Sequence, residues 1–536
     1  MSDFSTASGK GRGVRAALPH LVFFGLAAAF MAVMCYAATH LASVVSYERD
    51  IWHHLAVYRE LIAAPFNALN PHVATDDPSR SFSPWTVSVA IMARSLGLDA
   101  FGAIAISAIA SSLSVLAGLY LFSKEYWRHA WAPALMLVTF FGTWILGVNH
   151  TGYHTIATFL YSISYPFGIV LGVGFMSWWL TLRALRSRRY FLLYGVLLTL
   201  ISAALFITHQ LQGLFAVGGA LAFALFAGQA GLGRRLLLGA FLLGGLYLSQ
   251  FWMYFDPVSY VLNPEVRKGH SAVRFLNYSL DNIPYILVTL GLSLLGVLGL
   301  VDLRTGRPRY ELLLSVAVLL SGFVFLLSKD NWVSVRVVPL LVVFLQLGLV
   351  SFLLTPAAQT ALGRAGHALR AVIVVALLLG LLLNITNGRN AYAKSRTFLE
   401  TGQIDAQPIT WSRDILAASD FAVSLVPEGS TVIAHLQTAF PMEATSLKVV
   451  AIPRLFAEVS DMLERQTNNR AFFDAATDTE TRCAILAQYD VQMIVYRDYW
   501  LDDAVEAQLS AFGTRQPMGD MSFIPAADGT FEACAG

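Results

Sequence analysis

Two carboxylates, an arginine, a tryptophan and two histidines crowd into Tyr47-Glu48-Arg49-Asp50-Ile51-Trp52-His53-His54, where the first long apolar run of the chain ends. Carboxylates and imidazoles are the usual groups of proton transfer. At the mouth of a membrane helix such groups are costly unless they line a wet cavity or a site. The cluster is therefore a candidate active site. The competing reading is an interfacial anchor, with Tyr47 and Trp52 in the aromatic belt and the charges solvated.

Composition decides what kind of chain must position this cluster. Hydrophobic residues make up 56% of the 536 positions and charged residues only 13%, and the mean hydropathy is +0.60. Soluble domains carry about 25% charged residues, so the chain reads as a polytopic membrane protein. Its charge is uneven, with 11 Lys and Arg against 20 Asp and Glu from Arg389 onward. The membrane part is thus basic and the tail acidic.

Lys10, Arg12 and Arg15 precede an apolar run over residues 17–45. That is about twice the apolar core of a signal peptide and enough to cross a bilayer at about 1.5 Å per residue. The run is expected to be an uncleaved first span. Ten more are expected near residues 101–122, 131–148, 156–182, 190–208, 211–229, 235–254, 283–301, 310–327, 334–355 and 371–386. Arginine and lysine alternate with this count. Lys124 and Arg128, then Arg183 to Arg189, Arg234 and Arg235, Arg304 to Arg309, and Arg364 with Arg370 fall in every second connection. By the positive-inside rule the N-terminus is cytoplasmic, and the first loop and the tail are outside. Residues 82–98 form a short apolar helical pattern broken by Arg94. At about 14 residues the pattern is short for a span and is expected to lie on or dip into the outer surface. The first outer loop then runs over residues 46–100, a length that itself suggests function.

Asp50 with Glu48 two before it, Ser83-Pro84-Trp85, and the Gly97 to Phe101 stretch leading into the next span together resemble the GT-C superfamily of polytopic membrane glycosyltransferases. The resemblance covers the pattern of residues 17–122, and the span count and external tail in outline. It implies a sugar donor linked to polyprenyl phosphate and a glycan, lipid or protein acceptor of the cell envelope. Many members of the superfamily carry a two-carboxylate motif in this loop. Glu48-Arg49-Asp50 fits it only if Glu replaces the first Asp, so no metal ligands are assigned and a divalent cation is left open as a cofactor.

Such a transfer needs a base for the acceptor hydroxyl and cations for the departing phosphate. Asp50 is the first candidate for the base and Glu48 the second; the bland alternative is that Glu48, Arg49 and Asp50 pair among themselves. Arg336, in Arg336-Val337-Val338-Pro339, resembles a late arginine-proline element of the superfamily that here lacks its aromatic residue, and Arg336 and Lys329 are expected to bind lipid phosphate. An ion pair of Arg336 with Asp330 is the rival. His53, His54, His150, Tyr153, His154 and His209 are expected on the same side as sugar or phosphate ligands, against a role in interface packing; their spacing fits no zinc motif. Arg267 and Lys268 lie in an outer loop over residues 255–282 that either covers the donor or rests on anionic headgroups.

Residues 389–536 alternate helical patterns (411–426, 454–466 and 469–489) with strand patterns (430–436, 447–452 and 491–496) and read as a soluble external α/β domain behind the transmembrane domain of residues 1–388. The tail has no glycine-rich phosphate loop or nucleophile motif. Of three cysteines, Cys483 and Cys534 share it and are expected to pair in an oxidising compartment. The whole is expected to be an inverting glycosyltransferase of a bacterial inner membrane with a periplasmic tail and no nucleic-acid partner. The alternatives are a lipid-linked polysaccharide polymerase or ligase, and a transporter or flippase without chemistry.

Overall fold

The computed structural model describes residues 9–40, 49–77, 79–144, 153–228, 230–262, 283–303, 305–329, 333–355, 363–401, 403–404, 407–408, 413–453, 459–498, 501–527 and 529–535. They form two compact units. The first takes residues 1–38, 107–251 and 270–392, and the second residues 39–106, 252–269 and 393–536. The chain therefore divides by contact along lines that give the first loop and the tail to one unit.

In chain order the helices up to the tail are α1 (Gly9–His40), α2 (Arg49–Ala63), α3 (Pro84–Ser95), α4 (Ala100–Trp127), α5 (Ala132–Gly142), α6 (Ile156–Ser162), α7 (Pro166–Arg186), α8 (Phe191–Thr208), α9 (Gln210–Phe226), α10 (Leu232–Leu248), α11 (Pro257–Leu262), α12 (Ile283–Leu290), α13 (Tyr310–Ser328), α14 (Val333–Leu354) and α15 (Gly363–Thr401). Among the described residues eight helices are long and apolar enough to cross a membrane: α1, α4, α7, α8, Leu232–Phe251, α13, α14 and Arg364–Asn390 of α15. Three shorter apolar helices, α5, α9 and Pro284–Gly299, occupy the other expected positions. The expected span over residues 156–182 is two helices, because Tyr165 is extended and Pro166 opens α7 at a position where its missing N–H costs nothing.

Within the first unit α14 is the centre. Its side chains from Val337 to Phe352 are buried without a break, as expected of a helix that is apolar all round. Close packing there requires glycine: a Cβ on Gly348 would strike the carbonyl oxygen of Gly296, and a Cβ on Gly296 that of Leu345. Buried amides fix the neighbours. Gln346 donates to Thr143 Oγ1 at 2.7 Å, and Asn384 of α15 donates to Phe141 O at 2.8 Å and accepts from Ile156 N at 2.9 Å.

In the second unit, α2 begins a separate helix, so Asp50 sits in a first turn and not at the top of the opening span. Helix α3 has the length expected for the short apolar pattern. Ser83 caps it by accepting from Thr86 N, and Thr86 bonds back to Ser83 N. Arg94, which broke that pattern, donates to the carbonyls of Ile62 and Ala63 at the end of α2. Trp252 donates to Phe82 O at 2.7 Å and Tyr254 to Pro65 O at 2.8 Å, which fastens the chain before α11 to the first loop.

The tail adds α16 (Arg413–Leu425), β1 (Thr431–Ala434), α17 (Leu436–Met442), β2 (Lys448–Val449), α18 (Met462–Phe472), α19 (Thr479–Gln488), β3 (Val491–Arg497), α20 (Asp503–Leu509), β4 (Gln516–Met518) and β5 (Met521–Pro525). The sheet order is β2-β1-β3-β5-β4. Strands β1, β2 and β3 run parallel, and β5 pairs antiparallel with β3 and β4. Alternate strand residues face opposite ways. Val432, Ala434, Met493, Val495 and Phe523 pack on one side with α16, and Ile433, Ile494, Tyr496 and Ile524 pack on the other with α19. A single helix expected over residues 469–489 is broken, because Asp478 caps α19 by accepting from Thr481 N. Residues 454–458, expected to start a helix, lie outside the described residues.

Cys483 and Cys534 are bonded, with their Cα atoms 5.6 Å apart, and Cys35 is in no disulfide. Denatured protein alkylated without reduction is therefore expected to take one label, and after reduction three. Equal labelling in both samples would refute the bridge.

Candidate functional site at the first loop

Helix α2 is sealed along most of its surface: Ile51, Trp52, His53, Leu55, Ala56, Val57, Tyr58 and Leu61 are buried, while Asp50 at its start is half-buried. Fifteen residues with two histidines, Arg59 and Glu60 cannot be a span, so the burial is in protein. Asp50 precedes His53 and His54 by three and four positions, which places all three on one face, a turn apart.

The loop after α2 turns on Asn70, whose Oδ1 accepts from His72 N at 3.0 Å and Val73 N at 3.2 Å. This turn carries the chain onto the edge of the tail sheet. Val73 makes a parallel bridge with Val449, and Val449 N donates to His72 O at 3.0 Å. Lys448 donates to Glu60 Oε1 and to Asn70 O, both at 2.7 Å. Arg465 donates to Ala74 O, and Asp77 accepts from Ser460. Burial lowers the Lys448 ammonium from its usual range, and Glu60 opposes this.

Three side chains meet behind this joint. His53 is 8% exposed, His72 2% and Glu443 0%. The imidazoles of His53 and His72 stack with centroids 4.3 Å apart. His53 Nε2 is 2.9 Å from Ser81 Oγ, and His72 Nδ1 is 2.8 Å from Glu443 Oε2. That last contact is one of distance only, since neither carboxylate oxygen of Glu443 receives an aligned hydrogen bond among the described residues. Glu443 follows α17, and its carbonyl accepts from Arg59 at 3.2 Å. Burial pushes the Glu443 carboxyl well above its usual range, with Arg59 opposing. Burial holds His53 well below the usual imidazole range, helped by His72 and His54, and lowers His54 to about 3. One ligand atom from each of His53, His72 and Glu443 lies within 4.8 Å of the others.

The other predicted site residues are distributed as follows. Glu48, His150, Arg267 and Lys268 lie outside the described residues. Tyr153, His154, His209, Lys329 and Arg336 belong to the first unit. Tyr153 donates to Val335 O at 3.3 Å, beside Arg336 in the first turn of α14. Lys329 is exposed after α13. His154 is fully buried and stacked on Phe140, a packing position and not the loop surface expected of a sugar ligand. His209 caps α9 by accepting from Gln212 N. His72 and Glu443 were not anticipated from sequence. The only local signal was a histidine just after Asn70-Pro71, a turn-forming pair.

No protein family and no curated protein matches the sequence. Solved structures do match the fold. The oligosaccharyltransferase of Archaeoglobus fulgidus is similar over 91% of this chain and 73% of its own, at a TM-score of 0.51 and 12% identity. ArnT from Cupriavidus metallidurans is similar over 95% of this chain and 99% of its own, at a TM-score of 0.51 and 15% identity. The chain shares its fold with these two structures.

The joint between α2 and the sheet yields a stability prediction. Breaking a largely buried ion pair by removing one charge costs about 3 kcal/mol, whereas replacing both partners by apolar groups is nearly neutral. Glu60→Gln is expected to lower the melting temperature of the purified protein, and Glu60→Leu with Lys448→Met to recover most of the loss. Equal melting of Glu60→Gln and wild type would show that the pair contributes nothing.

Proposed function

We propose that the protein is a membrane glycosyltransferase that moves a sugar from a polyprenyl-phosphate donor to an acceptor of the cell envelope. The observation that carries this reading is the likeness in fold to ArnT along nearly the whole of both chains. The named activity of the second neighbour, an oligosaccharyltransferase, is of the same kind. The long first loop with its carboxylate supports it independently.

In this reading Asp50 is the general base. Its carboxylate takes the proton of the acceptor hydroxyl as that oxygen attacks the anomeric carbon. The bond from that carbon to the donor phosphate breaks, and the polyprenyl phosphate leaves with both electrons. A single displacement of this sort inverts the anomeric centre. Arg336 and Lys329 are assigned to the leaving phosphate, where fixed cations stabilise charge as it develops, and Tyr153 supports the turn that carries Arg336. Glu48 stands as the second candidate base. The reading places the protein in a bacterial inner membrane, with a cytoplasmic N-terminus and a periplasmic tail to which the Cys483–Cys534 bridge is suited.

Release of polyprenyl phosphate from a lipid-linked sugar, followed with purified protein in lipid nanodiscs and an envelope extract as acceptor, tests both parts. Asp50→Asn is expected to slow release about 10²- to 10⁴-fold, the usual contribution of a general base, with donor affinity little changed. Full activity in Asp50→Asn removes it from the base role, and no release by wild type overturns the enzyme.

A further inference from the structure

We infer that His53, His72 and Glu443 form a binding site for a Zn²⁺-class ion that clamps the helix carrying Asp50 to the C-terminal sheet. Two imidazoles and one carboxylate are a donor set that zinc accepts. Ligand atoms about 2.0–2.2 Å from a tetrahedral ion stand about 3.3 Å from one another. The three side chains already bring one donor atom each within 4.8 Å of the rest, and His72 Nδ1 and Glu443 Oε2 are at 2.8 Å.

The second observation is the state of Glu443. Its carboxylate is wholly buried, and neither oxygen receives an aligned hydrogen bond among the described residues. A buried carboxylate without such bonds is expensive. His72 Nδ1 and Glu443 Oε2, both possible ligand atoms, face each other at 2.8 Å. Arg59 bonds the backbone carbonyl of Glu443 and not its carboxylate. Ser81 Oγ at His53 Nε2 is placed as a hydrogen-bonding support for a metal-bound imidazole.

The ligands come from α2, from the loop after it and from the residue following α17, so the ion joins segments that lie 390 positions apart at their farthest, His53 to Glu443, within one compact unit. The two imidazole planes are 17° apart, and an ion must lie near both planes, so loading turns one ring out of the stack. Three protein ligands leave a fourth position for water. Asp50 is not in the set. The site is independent of the proposed transfer reaction and stands or falls without it.

The full chain, purified in nanodiscs through a tag without histidine and never exposed to chelator, is expected to hold about one zinc per chain by elemental analysis. After chelation, Co²⁺ is expected to restore one equivalent with the visible absorption of a low-symmetry site, and Zn²⁺ to raise the melting temperature. His72→Ala and the near-isosteric Glu443→Gln are each expected to lose the bound metal and the Co²⁺ spectrum, while His367→Ala, at an exposed histidine of the other unit, keeps both. Circular dichroism and the intact disulfide report whether the variants fold. No metal in wild type and no Co²⁺ spectrum on titration overturns the site, as does unchanged metal content in folded Glu443→Gln.

Discussion

A charge withdrawn from water must be met by another, and in this protein that requirement joins parts of the chain that sequence separates. Lys448, on the edge strand of the tail sheet, is almost wholly covered, and it is neutralised by Glu60 of α2 and by the carbonyl of Asn70. Neither ion would be tolerable in that place without the other. The pairing therefore fixes where α2 lies against the sheet, and the Val73–Val449 bridge and the Arg465 bond to Ala74 O extend the same alignment along the loop. The first loop packs α2 on α3 with its own apolar residues, and the tail adds the ion pair and the strand edge that hold it.

The first unit solves a different problem. Lipid is as apolar as leucine, so helix association there depends on close packing and on hydrogen bonds between helices. Gly296 against Gly348 supplies the close packing at α14, and Gln346 and Asn384 supply bonds that carry α5, α6 and α15. The side-chain amides of Gln346 and Asn384 donate to definite partners on neighbouring helices, which is how a few amides can select one arrangement among many similar apolar faces.

Sequence revealed the parts of the fold that depend on local pattern. Apolar runs and alternating arginines located eleven helical segments, and eight of them are long enough to cross a membrane. The alternating patterns of the tail located β1, β2 and β3, though not how they pair. Short-range chemistry was missed where one residue outweighs periodicity: Pro166 divides one expected span, and the Asp478 cap divides one expected tail helix. The β4–β5 hairpin was not foreseen, since Gln516-Pro517-Met518 has no strand alternation and gains its place only by pairing with β5. At the candidate site His53 was legible from its crowded neighbourhood. His72 and Glu443 were not, because each is ordinary in its own stretch and acquires meaning only through a contact across 371 residues.

The same geometry changes what the tail is for. Asp50 stands at the half-buried start of α2, while the next turn is already sealed by His53 and the apolar residues beyond it. A group that must hold a proton-transfer geometry to within a fraction of an ångström needs a rigid base behind it. A helix of fifteen residues has little order of its own in water. The rigidity of α2 is supplied by Glu60 on Lys448, Arg59 on Glu443 O, Arg94 on the last carbonyls, and the buried His53–His72–Glu443 group. Three of those four supports depend on the tail. On the proposed reading the tail is thus part of the machinery that orients Asp50, and a change at the sheet edge reaches the reaction through the helix without touching either substrate.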